Sequence, residues 1–269
     1  MANWIRFRHE AGEGFGTLDG DDVAVHEGCM FAGARATGTR LPLRDVTLLA
    51  PARPSKLIAL WNNFRALAAK LDLAPPDEPL YLLKAPSSCL EPDGTVRRPP
   101  SYDGRLVFEG ELGIVIGRTC RAVAPAEAES FIFGYTCVND ITAADLIHKD
   151  ASFAQWARAK SFDGFGPFGP TIATGIGWRD IVVRTVLNGS ERQNYPISDM
   201  VFPPPRLVSL ISQDMTLLPG DLICCGTSVG VGTMKGERDV VEVSIDGIGT
   251  LRTTLLQEGL RTRPDASAG

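Results

Sequence analysis

The sequence predicts a β-rich α+β fold with a small N-terminal β domain. Three observations carry this. Short apolar or alternating segments recur along the 269 residues, and no regular succession of long helices separates them as a doubly wound sheet requires. The chain holds 28 glycines and 19 prolines, punctuation that suits many short elements joined by turns. Its hydrophobic (44%) and charged (22%) fractions are those of a globular chain long enough to bury a sizeable core. A disordered, collagen-like or coiled-coil protein is excluded.

Taken in order, Trp4–Arg8, Gly14–Leu18 and Val23–Val25 alternate as short strands around the turn Asp19-Gly20-Asp21-Asp22. They predict a β-meander domain over residues 1–50. Pro51 and Pro54 mark the passage into a second domain, 51–257. There Lys56–Leu60 predicts a strand, and Asn63–Leu71 a helix with Phe64, Leu67, Ala68 and Leu71 on one stripe, ended by Pro75-Pro76. Leu80–Lys84 predicts another strand. Ala85–Gly104 is dense in turn formers and reads as a long loop, which in a compact domain is often functional. Strands are expected over Leu106–Ile116, Phe133–Val138, Ile181–Asn188, Asp221–Cys225, Val240–Ile245 and Gly249–Thr253, and helices over Pro125–Glu129 and Thr142–Lys149. Residues 258–269 form a polar tail.

Acidic residues outnumber basic ones, 32 to 27, for a net charge of −5, and no basic tract stands out. Nucleic-acid binding is thereby excluded. Apolar runs such as Leu48–Ala52 and Leu57–Trp61 fall far short of the roughly 18–20 residues of a membrane span. The N-terminus turns polar at Arg6, without a signal-peptide core, so a cytoplasmic protein without membrane partners is expected. The six cysteines form no C-x-x-C pair and read as small buried hydrophobes.

The chemistry-bearing segment is Phe108-Glu109-Gly110-Glu111-Leu112-Gly113-Ile114-Val115-Ile116. In a strand, Glu109 and Glu111 share one face, about 7 Å apart. The residues that follow are apolar on both faces, as in a strand buried on both sides. Carboxylates entering such a strand are costly to desolvate unless a cation compensates them, and hard oxygen ligands suit Mg²⁺, Mn²⁺ or Ca²⁺. Asp140 closes the apolar run Phe131–Asp140, where an acidic residue serves either as a helix N-cap or as a third ligand. Lys160 taken alone is a surface lysine.

In series, these segments are similar to the fumarylacetoacetate hydrolase family from about Lys56 to Leu251. The matching pieces are Phe108-Glu109-Gly110-Glu111-Leu112, Gly134-Tyr135-Thr136 with Val138-Asn139-Asp140, Lys160-Ser161-Phe162-Asp163 with Gly169-Pro170, Pro219-Gly220-Asp221, and Gly226-Thr227 with Gly230-Val231-Gly232. The resemblance points to the hydroxyheptadienedioate isomerase and acylpyruvate hydrolase branch. It implies a mixed β-roll catalytic domain, a homodimer, and one Mg²⁺ or Mn²⁺ held by Glu109, Glu111 and Asp140. The substrate implied is a small 2-oxo or 1,3-dicarbonyl acid. Lys160 would offer positive charge to its carboxylate or enolate, and Gly226 and Thr227 would hold its far end.

Two departures bear on the reaction. Where many members read N-Y-R-D-H-A-x-E, this chain reads Asn63-Phe64-Arg65-Ala66-Leu67-Ala68-Ala69-Lys70, so Leu67 and Lys70 replace the His–Glu pair that activates water. Where the family often reads N-D-x-S-A-R-D-x-Q, Ala144 and Ile147 replace the Arg and Gln, a more apolar wall suited to a less anionic or bulkier substrate. His148, eight residues after Asp140, is a candidate replacement base. Hydrolytic C–C cleavage of an acylpyruvate-like compound in aromatic catabolism, through a metal-stabilised enolate, is the commonest family assignment and the reaction expected first. The missing pair favours the alternatives, enol–keto isomerisation or decarboxylation, with a catalytically silent ligand-binding homologue as a further possibility.

Overall fold

A strand buried along its whole length, Gly110–Ile116, lies at the centre of the computed structural model, which describes residues 1–257. It pairs antiparallel with Ile132–Asn139 on one side and with Leu222–Cys224 on the other. Ile132–Asn139 pairs in turn with Gly166–Thr174, and Leu222–Cys224 runs parallel to Leu57–Trp61, which pairs with the edge strand Leu80–Lys84. The N-terminal meander, Ala2–His9, Gly12–Asp19, Asp22–Cys29 and Ala32–Pro42, joins this sheet where Ala2–Trp4 pair with Ile172–Thr174. A second sheet holds Ser190–Pro196, Val182–Leu187, Arg238–Ile245, Gly249–Leu256 and Thr95–Arg97. The result is the mixed β-roll expected, with the N-terminal meander continuing the main sheet at one edge.

Alternation along the central strand sorts its side chains into two cores. Leu112, Ile114 and Ile116 enter the larger core, shared with Val183, Val241, Val243 and Leu251 of the second sheet. Val115 faces a smaller core with Leu57, Val138, Phe168 and Leu222. Glu109 and Glu111 are in phase with Val115, and Asp140 with Val138. One face of the main sheet therefore carries all three carboxylates. Asp221, fully buried, accepts from the Ser55 N–H (2.9 Å), the Ser55 hydroxyl (2.6 Å), the Leu218 N–H (2.8 Å) and the Lys56 ammonium (2.5 Å). This fastens the start of the Leu57–Trp61 strand to its parallel neighbour.

Several expectations need correction. The long strand Leu106–Ile116 breaks at Glu109 into Leu106–Phe108, in a small separate sheet with Thr142–Ala143 and Gly232–Met234, and Gly110–Ile116. The helix over Thr142–Lys149 is absent. In its place are the two-residue strand Thr142–Ala143 and a 3₁₀ turn Ala144–Leu146, because the Ala144 N–H is drawn to the Arg105 carbonyl. Asp140 is therefore not a helix cap. Pro125–Glu129 gives only a 3₁₀ turn, Ala128–Phe131. Ala85–Gly104 is not structureless: Cys89–Leu90 runs parallel to Gly166–Pro167, and Thr95–Arg97 parallel to Thr254–Leu256. The Asn63–Leu71 helix shortens to α1, Arg65–Lys70, with Phe64 and Ala68 buried, Leu67 half-buried and Leu71 exposed. Two further helices were not expected, α2 (Trp156–Lys160) and α3 (Pro204–Asp214). The tail 258–269 lies outside the described residues.

Gly110 explains the spacing of the two glutamates. A Cβ there would stand 1.9 Å from Thr185 Oγ1 of the second sheet, so no larger residue fits without displacing the backbone that aims both carboxylates. Gly110→Ala is expected to cost about 1–3 kcal/mol, the usual price of overpacking, read as a lower urea midpoint. Unchanged stability would show that the strand can move away from Thr185.

Candidate active site

The three carboxylates converge. One oxygen from each of Glu109, Glu111 and Asp140 lies within 4.8 Å of the others. Glu111 and Asp140 are fully buried, and the Glu109 side chain is 17% exposed, which leaves the cluster open on one side. Glu109 reaches it from the break between two strands, Glu111 from the central strand, and Asp140 from the residue after Ile132–Asn139.

Two buried lysines answer this charge. Lys160, at the end of α2, donates to Asp140 Oδ2 (2.6 Å), Glu109 Oε1 (3.0 Å) and Thr142 Oγ1 (2.7 Å). The Thr142 hydroxyl donates to Glu109 Oε1 at 2.6 Å. Lys84, at the end of the edge strand, donates to Asp140 Oδ1 and to the Phe165 carbonyl (3.0 Å). Burial disfavours the charged Asp140 carboxylate, but Lys160 and Lys84 outweigh it and hold the group below its ordinary range. Burial likewise opposes the Lys160 charge, and Asp140, Glu109 and Glu111 more than restore it. Glu111 is pushed far up, by burial first and then by the charges of Asp140 and Glu109. Its Oε2 accepts from the Gly226 N–H (2.9 Å), while its buried Oε1 has no partner among the described residues. An orphaned carboxylate oxygen aimed among two other carboxylates, in an all-oxygen donor set, fits Mg²⁺ or Mn²⁺.

The remaining sequence candidates are placed as follows. Gly226, at φ +85°, turns its N–H onto Glu111. The Thr227 hydroxyl donates to the Gly110 carbonyl (3.0 Å) and accepts from Gln193 Nε2 (2.8 Å). His148 is exposed, its ring edge-on to Trp156 at 6.1 Å, and among the described residues it makes no hydrogen bond to the carboxylates. Leu67 packs against the larger core as a plain hydrophobe. Asn63 of the same motif is structural, donating to the Cys225 carbonyl at 2.9 Å and accepting from the Phe202 N–H at 2.9 Å. All six cysteines are free; Cys120, Cys137, Cys224 and Cys225 are buried, with Cys29 exposed and Cys89 in between.

Sequence reasoning missed Lys84, whose only signal is a lysine closing the apolar strand Leu80–Leu83. It also missed Gln193 and Tyr195, which hold Gly110 from the second sheet: Gln193 Oε1 accepts from the Gly110 N–H (3.0 Å), and the Tyr195 hydroxyl donates to its carbonyl (2.6 Å).

The fold and the buried acidic triad together define a β-roll enzyme. The family description "Fumarylacetoacetate (FAA) hydrolase C-terminal" matches residues 56–256, and "Rv2993c-like, N-terminal" matches residues 3–51. The chain belongs to the fumarylacetoacetate hydrolase family. Protein Rv2993c of Mycobacterium tuberculosis is 38% identical over 261 residues, 92% of this chain and 96% of that protein. A 4-hydroxyphenylacetate degradation bifunctional isomerase/decarboxylase of Salmonella dublin is 37% identical over 205 residues, 75% of this chain but 47% of the relative. The crystal structure of 2-hydroxyhepta-2,4-diene-1,7-dioate isomerase from Mycobacterium marinum superposes with a TM-score of 0.88 at 35% identity, covering 96% of this chain and 100% of that one. Among the described residues no helix is long and apolar enough to cross a membrane.

Glu111→Gln separates function from stability. It removes a poorly compensated buried acid and one candidate ligand together, so Tm in EDTA is expected to be no lower than that of the parent, while Mn²⁺ affinity falls at least about tenfold. A lower Tm with unchanged Mn²⁺ binding would contradict the ligand assignment.

Proposed function

We propose that this protein is a divalent-cation-dependent enol–keto isomerase acting on a 2-oxo or 1,3-dicarbonyl acid of aromatic catabolism, as a homodimer. The observation that carries the reading is the convergence of Glu109, Glu111 and Asp140 around the partnerless Glu111 Oε1. Mg²⁺ or Mn²⁺ held by these three residues supplies Lewis-acid polarisation of the substrate carbonyl. The chain's own residues do the rest. Asp140, Thr142 and Glu109 hold the buried Lys160 ammonium within the cluster, where it would offer positive charge to a substrate carboxylate or a developing enolate oxygen. Lys84 keeps Asp140 ionised from behind. Three carboxylates against two ammonium groups and a dication leave the site with one net positive charge, which suits an anionic substrate.

Isomerisation is favoured over hydrolysis by Leu67. Hydrolysis requires a base to activate water, and a leucine packed into the core supplies none. The isomerase names of the Salmonella and Mycobacterium marinum proteins point the same way. Hydrolytic cleavage of an acylpyruvate is the second reading, and it needs a substitute base such as the exposed His148. The homodimer draws support from the exposed Leu71 and Leu73 beyond α1 and from Leu80 and Leu83 on the edge strand, apolar surface that a second copy would cover. Light scattering reads this directly, and a monomer mass contradicts it.

The test incubates the Mn²⁺-loaded and metal-stripped protein with fumarylpyruvate and related enolisable oxo acids in D₂O, with products read by mass spectrometry. Metal-dependent deuterium incorporation without cleavage is expected. Pyruvate release that His148→Ala abolishes would establish the hydrolytic reading instead. Tight ligand binding with neither outcome would mark a silent binding protein.

A further inference from the structure

Two indoles meet on segments that also supply or anchor the carboxylate cluster, and the reading above gives them no role. Trp156 opens α2 and Lys160 ends it, an i,i+4 pair on one helix face, so the ring stands one turn from the ammonium that enters the cluster. Trp61 ends the Leu57–Trp61 strand next to the anchor of Glu111. The carbonyl of the preceding Leu60 lies 3.2 Å from where a Cβ on Gly226 would stand, and Asn63 donates to the Cys225 carbonyl. The two rings thus come from segments bound to opposite sides of the site, and their centroids lie 5.5 Å apart at 52°. Both are half-buried.

The arginines of α1 and α2 are already hydrogen-bonded elsewhere. Ile147 is buried, and the Gln155 N–H donates to its carbonyl (2.8 Å), which ties this apolar wall to the start of α2. Leu67 on α1 is half-buried against the larger core. The Arg65 guanidinium is committed to the Asp199 and Met200 carbonyls, and that of Arg158 to Gln155. His148 lies edge-on against Trp156 at the exposed rim.

We propose that Trp61 and Trp156 form the subsite for the distal arm of the substrate, and that this arm is an uncharged planar group, aryl or conjugated, rather than a second carboxylate. Indole faces receive such a group by offset or edge-on packing, whereas a carboxylate there would lose water without gaining a partner. The inference rests on the proposed cation-dependent reading of the site.

The test measures Kd, or KM where turnover occurs, for three ligands of the Mn²⁺-loaded enzyme: oxalate, which fills only the core of the site, benzoylpyruvate with an aryl arm, and fumarylpyruvate with a carboxylate arm. Benzoylpyruvate is expected to be favoured over fumarylpyruvate by about tenfold, and Trp61→Leu to erase that preference while oxalate binding stays within about twofold. Trp156→Phe, which retains a ring, is expected to keep most of it. Preference for fumarylpyruvate, or equal weakening of oxalate and benzoylpyruvate in Trp61→Leu, overturns the subsite while leaving the cation reading intact. Loss of metal-dependent oxalate binding in the parent protein overturns that reading, and the subsite with it.

Discussion

Like charges held out of water govern this structure. Three carboxylate oxygens within 4.8 Å repel one another by about 3–4 kcal/mol per ionised pair at an effective dielectric near 20, before any cost of desolvation. The fold meets this with two ammonium groups, and it distributes them unevenly. Both Asp140 oxygens are taken by lysines, Glu109 shares Lys160 with Thr142, and among the described residues Glu111 receives only a backbone N–H. The imbalance is what makes the cluster a candidate binding site. A purely structural network would have satisfied Glu111 Oε1, since an unpaired buried polar atom is expensive.

The rest of the architecture serves that arrangement. Gly110 must lie flat against Thr185 for the flanking glutamates to aim together; Gln193 and Tyr195 fix its backbone from the second sheet, and Thr227 from the turn after Leu222–Cys224. Asp221 locks the strand leading to Trp61 and Asn63, and Asn63 then holds Cys225 beside the Gly226 N–H that meets Glu111. Residues far apart in sequence are therefore coupled through backbone contacts, and small changes beneath the cluster should alter its geometry.

The two glutamates of the candidate triad were legible because strand alternation and the buried character of the following residues make paired glutamates anomalous. Asp140 needed the resemblance, since a carboxylate ending an apolar strand looks equally like a cap. Lys84 was not legible, because its partner lies 56 residues away and only the sheet brings them together. Helix α3 was hidden by its prolines, although prolines at the first helical turn are compatible with one. The expected helix after Asp140 failed because its first residue, Thr142, is held by Glu109 and Lys160, and strand pairing to Leu106–Val107 overrides local propensity. Asp221 was legible as part of a Pro-Gly-Asp motif, but its role depends on Ser55 and Lys56, which no local pattern links to it.

Leu67 is a hydrophobe packed against the larger core where many family members carry a histidine, and the proposed isomerase reading rests on that departure. All of this presumes that the acidic cluster is a cation site. Diffraction from Mn²⁺-soaked crystals, with data collected at the manganese edge, tests that most directly. The account predicts one anomalous peak per chain, bonded to Glu109, Glu111 through Oε1, and Asp140. An occupied peak elsewhere, or a cluster that keeps its lysine pairs unchanged at saturating Mn²⁺ with no peak, would contradict it.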